Sequence, residues 1–338
     1  MGENSKIEWC HSTFNPWRGC RALSPACDNC YAKTLVEGRL GESFDSRTRA
    51  AGSTWKQPLS WNRKAAKLGV RYRVFCASLA DVFDAEVPDE WRDDLFALIA
   101  ATPHLDWLLL TKRPKVARDY ADRAARCGEH WLADKGAPPV QWPLPNVWLG
   151  TTVENQAMAE ARIPHLLATP AAVRFLSCEP LLGPLNISNY LWPVHGWWKG
   201  PYHSYREAKA AGAECGLKRQ ALVSAHARFV DWVIAGGESG PKARPSHPDW
   251  FRSLRDQCAA AGVPFLMKQW GEWAPTQPVP GGDLGGDMRA GRVRIVKPAG
   301  ENDGHFRRGD ALMERVGKKS AGRMLDGVLH DALPAVRS

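Results

Sequence analysis

A chain of 338 residues with 44% hydrophobic content is long enough to bury a substantial core, either as one large α/β domain or as two smaller ones, and one domain with insertions is the simpler division. Its 45 Lys and Arg against 36 Asp and Glu leave a formal charge of +9, of which residues 289–323, with ten basic and four acidic side chains, supply +6. No run of eighteen apolar residues occurs and none lies near Met1, which excludes a membrane-spanning helix and a secretory leader of the usual kind and gives the expectation of a soluble, cytoplasmic protein.

In chain order, Lys6–Cys10 reads as a short strand and Asn15–Gly19 as a turn delivering Cys20, the first of three thiols spaced Cys-x6-Cys-x2-Cys with Cys27 and Cys30. Tyr31–Arg39 is helical in pattern, so the triplet sits on a loop between strand and helix, where α/β folds place their sites. Ser53–Lys67 is polar and carries Trp55 and Trp61. Arg71–Ser78 is a buried strand, followed by the polar loop Leu79–Asp84 and a helix from Pro88 through Ile99, whose proline and first-turn acids mark its start. The same unit recurs with strands at Trp107–Thr111, Val147–Thr152, Arg174–Cys178, Trp232–Ala235 and Pro264–Lys268, and with helices ending at Leu167 and spanning Pro248–Ala261.

Short continuous apolar runs alternating with helical segments indicate parallel strands covered by helices. About seven such strands make a full or partial β/α barrel over residues 1–275 the economical α/β architecture, with an open doubly wound sheet as the alternative. Residues 276–338 form a basic, Gly- and Pro-containing C-terminal extension. Two aromatic-rich insertions interrupt the pattern: 122–146, with Trp131 and Trp142, and 186–230, with Trp192, Trp197, Trp198, Tyr202, His203 and Tyr205. Aromatics interleaved with bases suit stacking on nucleobases with phosphate contacts, and equally suit a lid packed on the barrel mouth.

Three thiolates from one loop can hold three corners of a cubane iron–sulfur cluster and leave one iron open to a small chelating ligand. Zinc is the competing reading, because Cys-x2-Cys is common in zinc sites and His11 or Cys10 would complete a tetrahedral set. Against it, no second Cys-x2-Cys and no His-x3-5-His pair follows. Nine cysteines, an odd number with only three clustered, do not form a disulfide framework and suit a reducing compartment.

The triplet, with Tyr31 just beyond it, resembles the cluster loop of the radical S-adenosylmethionine (SAM) superfamily, in which three residues rather than six usually separate the first two cysteines. The wider spacing, with Ile7-Glu8-Trp9, Asn15-Pro16, Asp28-Asn29, Gly236-Gly237-Glu238-Ser239-Gly240, Lys268-Gln269-Trp270-Gly271 and Gly317–Arg323, resembles a narrower group, the phage-associated three-cysteine-motif proteins. That group is treated as radical-SAM-like and is distantly related to spore photoproduct lyase. The resemblance implies a β/α barrel of radical SAM type, usually incomplete. It implies a 4Fe-4S cluster on Cys20, Cys27 and Cys30 that binds SAM and cleaves it reductively to a 5′-deoxyadenosyl radical, fed by an electron donor such as flavodoxin or ferredoxin. With the basic extension and the aromatic insertions, it points to a nucleic acid or nucleotide, DNA foremost, as the substrate to be repaired or modified.

Partners for SAM should stand at the C-terminal ends of strands. The expected cofactor-binding set is Ser78, Thr151, Glu154, Ser177, Glu179, Gly236, Gly237 and Glu238, with Asp81, Thr111, Thr152 and Ser239 at the same tips. The superfamily places Gly-Gly-Glu after its second strand, to meet the SAM amino group. Here it follows about the sixth, so Glu238 is expected toward SAM or substrate unless only the glycines of a tight turn matter. Cys178 at a strand tip is expected over the mouth as a hydrogen-atom donor, although free cysteines are commonly buried, and Cys76 reads as core. Lys112 and Arg113 face an anionic group or solvent; Lys268 and Gln269 meet adenine or substrate edges, or close the barrel.

Two other functions fit the same chain. One is a zinc-stabilised, non-catalytic nucleic-acid-binding protein. The other is a radical SAM enzyme acting on a peptide, although the scattered Cys76, Cys127, Cys178, Cys215 and Cys258 offer no pair for an auxiliary cluster.

Overall fold

The computed structural model of the protein describes residues 2–191, 229–277, 283–300 and 306–335. Seven strands form one sheet in sequential order: β1 (Ser12–Phe14), β2 (Tyr72–Cys76), β3 (Leu105–Thr111), β4 (Val147–Thr152), β5 (Val173–Cys178), β6 (Trp232–Gly236) and β7 (Phe265–Gln269). Every pairing in it is parallel. The crossovers carry helices α1 (Tyr31–Leu40), α2 (Gly52–Leu68), α3 (Asp89–Ala100), α4 (Pro114–Cys127), α5 (Gln156–Ala168) and α6 (Pro248–Ala261). A doubly wound sheet needs a reversal of strand order, and this order has none. Crossovers of one hand put α2 to α6 on one face, while α1 packs at the mouth, its Ala32 and Val36 against Leu79, Cys20 and Cys30. The first and last strands are not paired with each other, so the architecture is a partial β/α barrel.

The period of two along each strand divides the sheet into two cores. Outward residues, among them Val74, Trp107, Leu149, Leu176, Val233 and Met267, pack with Leu95, Phe96, Ala121, Ile163, Phe251 and Leu254 of the helices. Inward residues Phe75, Leu108, Trp148, Phe175, Trp232 and Leu266 form a second cluster with Trp9. Trp9 lies 4.6 Å from Phe75 and 6.3 Å from Trp232, centroid to centroid, and Trp148 meets Trp232 edge-on at 6.1 Å. Toward the C-terminal ends the inward residues become polar. Phe175 is followed on its face by Ser177, Leu266 by Lys268, and Trp148 by Gly150 and then Thr152. The barrel interior is therefore an aromatic floor beneath a polar mouth.

Both edges of the sheet are covered by segments near the ends of the chain. The Thr13 amide donates to the Gly2 carbonyl and the Ser5 amide to that of His11, along β1. On β7, Met267 donates to His330 and Trp270 to Gly322, while Arg323 Nε donates to the Met267 carbonyl. Residues 322–332 thus satisfy backbone groups that an edge strand leaves open.

Two expectations are corrected, and a stretch assigned no element is filled. Lys6–Cys10 is not a strand of the sheet: the first strand is Ser12–Phe14, and the Ile7–Trp9 stretch feeds the aromatic floor instead. The polar stretch around Trp55 and Trp61 is helix α2, which buries Trp61 and Ala65. The 122–146 insertion is neither lid nor stacking platform, because Trp131 and Trp142 pack on Phe96 at 5.8 and 5.3 Å on the outer side of the sheet. Of the 186–230 insertion, residues 192–228, with Trp192, Trp197, Trp198, Tyr202, His203 and Tyr205, lie outside the described residues.

A second, antiparallel sheet joins β8 (Trp273–Thr276), at the end of the barrel region, to β9 (Val293–Val296) and β10 (Ala311–Arg315) of the C-terminal extension, ordered β8-β10-β9. Several of the extension's bases are used within the protein. Lys297 pairs with Asp310 at 2.6 Å, Arg292 with Asp287 at 2.5 Å, and Arg315 Nη2 donates to the Pro241 carbonyl at 2.5 Å. No helix among the described residues is long and apolar enough to cross a membrane.

Candidate active site

A cavity of about 720 Å³ lies at the C-terminal mouth of the partial barrel, and Cys20, Cys27 and Cys30 all line it. The loop carrying them is gripped by charged pairs from three strand tips. After β3, Arg113 Nη1 stands 3.4 Å from Cys20 Sγ and 3.0 Å from Asp81 Oδ2, and its Nη2 donates to the Arg21 carbonyl at 2.8 Å. After β4, Glu154 accepts from the Ala26 amide at 3.4 Å and pairs with Arg162 at 2.8 Å, with the carboxylate fully buried. After β6, Glu238 accepts from Asn29 Nδ2 at 3.0 Å and from Arg244 Nε and Nη2 at 2.9 and 2.7 Å. Arg244 reaches on to Asp28 Oδ2 at 3.0 Å and to the Pro25 carbonyl at 2.7 Å. Buried carboxylates are tolerated only when paired and hydrogen-bonded, and here the pairing also fixes the loop.

Burial pushes the Cys20 thiol up to about 12, with Asp81 adding to the effect and Arg113 opposing it. The guanidinium is thus the one contact that eases release of the proton, which a thiolate ligand requires. Among the described residues no three His, Cys, Asp or Glu side chains are grouped so as to hold a metal ion. The zinc reading also loses its fourth ligand. His11 Nδ1 accepts from the Arg73 amide at 2.8 Å and its ring stacks on Tyr72 at the start of β2, at the end of the sheet opposite the mouth. The Cys10 thiol, buried in the floor, donates to Ser5 Oγ at 3.4 Å. Three thiols on one cavity fit a cluster whose irons occupy separate corners and which needs no further protein ligand.

Of the expected cofactor-binding residues, Ser78, Ser177, Glu179, Gly237 and Glu238 line the cavity with the cysteines; Thr151, Glu154 and Gly236 do not. The Thr151 hydroxyl is spent on the Thr111 carbonyl at 2.8 Å, and Glu154 braces the cysteine loop from behind. Glu238 has its oxygens occupied by Arg244 and Asn29 and acts on that loop as well. The glycine of its motif has a separate task. A Cβ on Gly237 would lie 1.9 Å from the Trp270 carbonyl, so the Gly-Gly-Glu and Lys-Gln-Trp-Gly turns touch backbone to backbone.

Cys178 is not over the mouth. It alternates with the inward Ser177, faces the helices, and sits wholly buried in the outer core beside Cys258, whose proximity adds to the burial that raises its pKa. Cys76 is core as expected. Lys112 lines the cavity while Arg113 is committed to Asp81, Asp84 and the cysteine loop. Lys268 and Gln269 also line it, both against Glu179. Sequence reasoning missed Arg244 and Arg162, whose spacing carries no motif that would have found them, and took Asp28-Asn29 only as part of a resemblance, with no role for the Asn29 side chain.

No curated protein matches the chain. Among solved structures, spore photoproduct lyase complexed with dinucleoside spore photoproduct resembles it with a TM-score of 0.41 at 10% identity, over 93% of this chain and 71% of the other. A spore photoproduct lyase variant with bound AdoMet and the same dinucleoside gives 0.40 at 10% identity, over 93% and 73%. Likeness at this level says nothing of reaction or ligand. A family model described as "Protein of unknown function (DUF5131)" matches residues 4–334, nearly the full length, and the chain belongs to that family.

Proposed function

We propose that the protein is a radical SAM enzyme acting on a nucleic acid or nucleotide, DNA foremost, in repair or modification. The observation that carries the reading is the placement of Cys20, Cys27 and Cys30 on one cavity at the mouth of a partial barrel, on a loop held by three strand tips. An all-sulfur donor set suits iron–sulfur chemistry, and the cavity volume of about 720 Å³ leaves room for a cofactor and part of a substrate. A 4Fe-4S cluster on these thiols, with SAM on its open iron and an electron from a donor such as flavodoxin or ferredoxin, supplies reductive cleavage of SAM to a 5′-deoxyadenosyl radical.

The chain's own residues position and shield. Arg113 favours the ionised state of Cys20, while Arg244 and Glu154 fix the loop between the thiols. Trp9, Trp148 and Trp232 close the interior below the cavity, keeping water from the reacting groups. Lys6, Lys112 and Lys318, from three separate stretches, line the cavity and offer contacts to phosphate.

The test is anaerobic purification or reconstitution with iron and sulfide analysis, then incubation with dithionite and SAM and chromatography for 5′-deoxyadenosine. Iron and sulfide near four per chain, and product that vanishes in Cys27→Ala, are the expected results. A colourless protein that holds one zinc and leaves SAM intact would overturn the reading.

A further inference from the structure

Along β7 the alternation that builds the cavity wall is broken once. Ala235 is paired with Met267 but Gly236 with Gln269, so Lys268 is the extra residue of a bulge. Bulges re-aim side chains, and this one brings the consecutive Lys268 and Gln269 to the same cavity as Glu179 of the neighbouring loop. Lys268 Nζ lies 2.8 Å from both Glu179 oxygens, and Gln269 Nε2 lies 2.8 Å from Oε1. Gly236 leaves the space: a Cβ there would stand 3.1 Å from the Glu179 carboxyl carbon.

The charges cancel, but the hydrogen-bonding capacity does not. Lys268 has three N–H donors and spends two on Glu179, leaving one donor beside the free lone pair of Glu179 Oε2. Gln269 must turn its NH₂ to the carboxylate, so its Oε1 faces elsewhere, buried and without a partner. Gln269 is thereby fixed as a brace, its NH₂ shared between Glu179 Oε1 and the Gly237 carbonyl. A charged ligand group would have to break the Lys268–Glu179 pair. A neutral planar edge with an acceptor next to an N–H donor meets the spare Lys268 donor and the Glu179 Oε2 lone pair and leaves the ion pair intact. Nucleobases carry such edges. Lys6, Lys112 and Lys318 on the same cavity make a phosphate-bearing ligand a better match than a peptide amide, which presents the same donor and acceptor without the charge.

We infer that Glu179, Lys268 and Gln269 form a base-reading site, on which the donor–acceptor edge of one nucleobase is seated. The inference rests on the nucleic-acid clause of the reading above and not on iron.

The experiment therefore uses the full chain without iron. Binding of a fluorescein-labelled oligothymidylate is followed by anisotropy at fixed salt, alongside the same oligomer methylated at N3 of every thymine, which removes the donor and keeps the phosphates. Binding of adenosine and of 1-methyladenosine is measured by equilibrium dialysis. The methylated oligomer is expected to bind about tenfold more weakly, or worse. The double variant Lys268→Met with Glu179→Gln should bind both oligomers alike, at the strength of the methylated one, which also shows that it has folded. If discrimination appears between the two adenosines instead, the site reads the adenine of an adenosine ligand and the inference holds with that source. Equal binding within both pairs overturns it, as does displacement of the oligomer by an uncharged peptide amide. No oligomer binding by a chain that, once reconstituted with iron, still forms 5′-deoxyadenosine from SAM would remove the inference and leave the radical chemistry standing.

Discussion

Arg244 clasps Glu238 at two points, with Nε 2.9 Å from Oε2 and Nη2 2.7 Å from Oε1, and the same guanidinium holds the Pro25 carbonyl and the Asp28 carboxylate. One side chain therefore ties the tip of β6 to the cysteine loop, more than two hundred residues away in sequence.

Arg244→Ala leaves Glu238, only 5% exposed, with its partner charge removed. Breaking a fully buried pair costs about 3–5 kcal/mol; because the Arg244 side chain is 32% exposed, the expected loss is lower, about 2–3 kcal/mol in urea unfolding. Iron bound after anaerobic reconstitution should fall as well. Arg244→Lys, which keeps the charge but not the fork, should recover less than half of either loss. Unchanged stability and iron content in Arg244→Ala would show that the loop holds itself.

The two classes of thiol separate cleanly. Cys27→Ala should lower reconstituted iron to background with stability within about 0.5 kcal/mol of the parent, as for a half-exposed loop residue. Cys178→Ala should do the reverse, costing about 1 kcal/mol of stability from the outer core and leaving iron binding intact. Loss of product formation in a stable, iron-loaded Cys178→Ala variant would contradict its placement among the helices.

Trp142 is a core residue in an apparent surface insertion, 7% exposed, with Nε1 bonded to the Pro170 carbonyl at 2.9 Å. Trp142→Ala should cost about 3–5 kcal/mol in urea unfolding and leave oligonucleotide affinity unchanged under native conditions. A stacking platform would give the opposite pair of results.

Asp326 is held down to about 2 by hydrogen bonds from Arg252, which outweigh its partial burial, and by Arg255. A depressed carboxylate contributes stability that is present above its ordinary value near 4 and is lost as pH falls through the lowered one. Met324–Leu325 and Val328–Leu329 pair antiparallel as a short ribbon around Asp326, and its docking on Arg252 and Arg255 of α6 should therefore weaken between about pH 4 and pH 2, by less than about 1 kcal/mol because the carboxylate is 38% exposed. Pepsin cleavage of the ribbon should accelerate across that range, and Asp326→Asn should cleave at the faster rate throughout. A parent rate independent of pH, after correction for pepsin itself, would remove Asp326 as the anchor.

Six of the seven strands were legible because each is a short apolar run, β1 being the exception, and the three thiols because their spacing survives without context. Val147–Thr152 and Pro248–Ala261 are found where pattern places them. Helix α2 was hidden by its composition: its buried face is only Pro58, Trp61 and Ala65, too sparse to stand out from a polar loop. Trp9 misled in the other direction, since Ile7 and Trp9 alternate like a strand but serve to plug the barrel. Cys178 could have been placed by counting from Ser177, for two adjacent strand residues cannot both face the mouth. Arg244 and the bulge at Lys268 were beyond reach of pattern, because each is defined by a partner tens to hundreds of residues away; Arg162 meets Glu154 across the turn from β4 into α5, at a spacing that belongs to no regular element.

The cover over the outer edge of β7 also orders events in time. Phe265–Gln269 leaves the ribosome well before residues 322–332, whose backbone meets Met267 and Trp270. At the roughly 5–20 residues per second of synthesis, that strand spends several seconds with its free N–H and C=O groups available to any passing chain. The yield of native protein should therefore depend on how fast the codons for residues 270–332 are read.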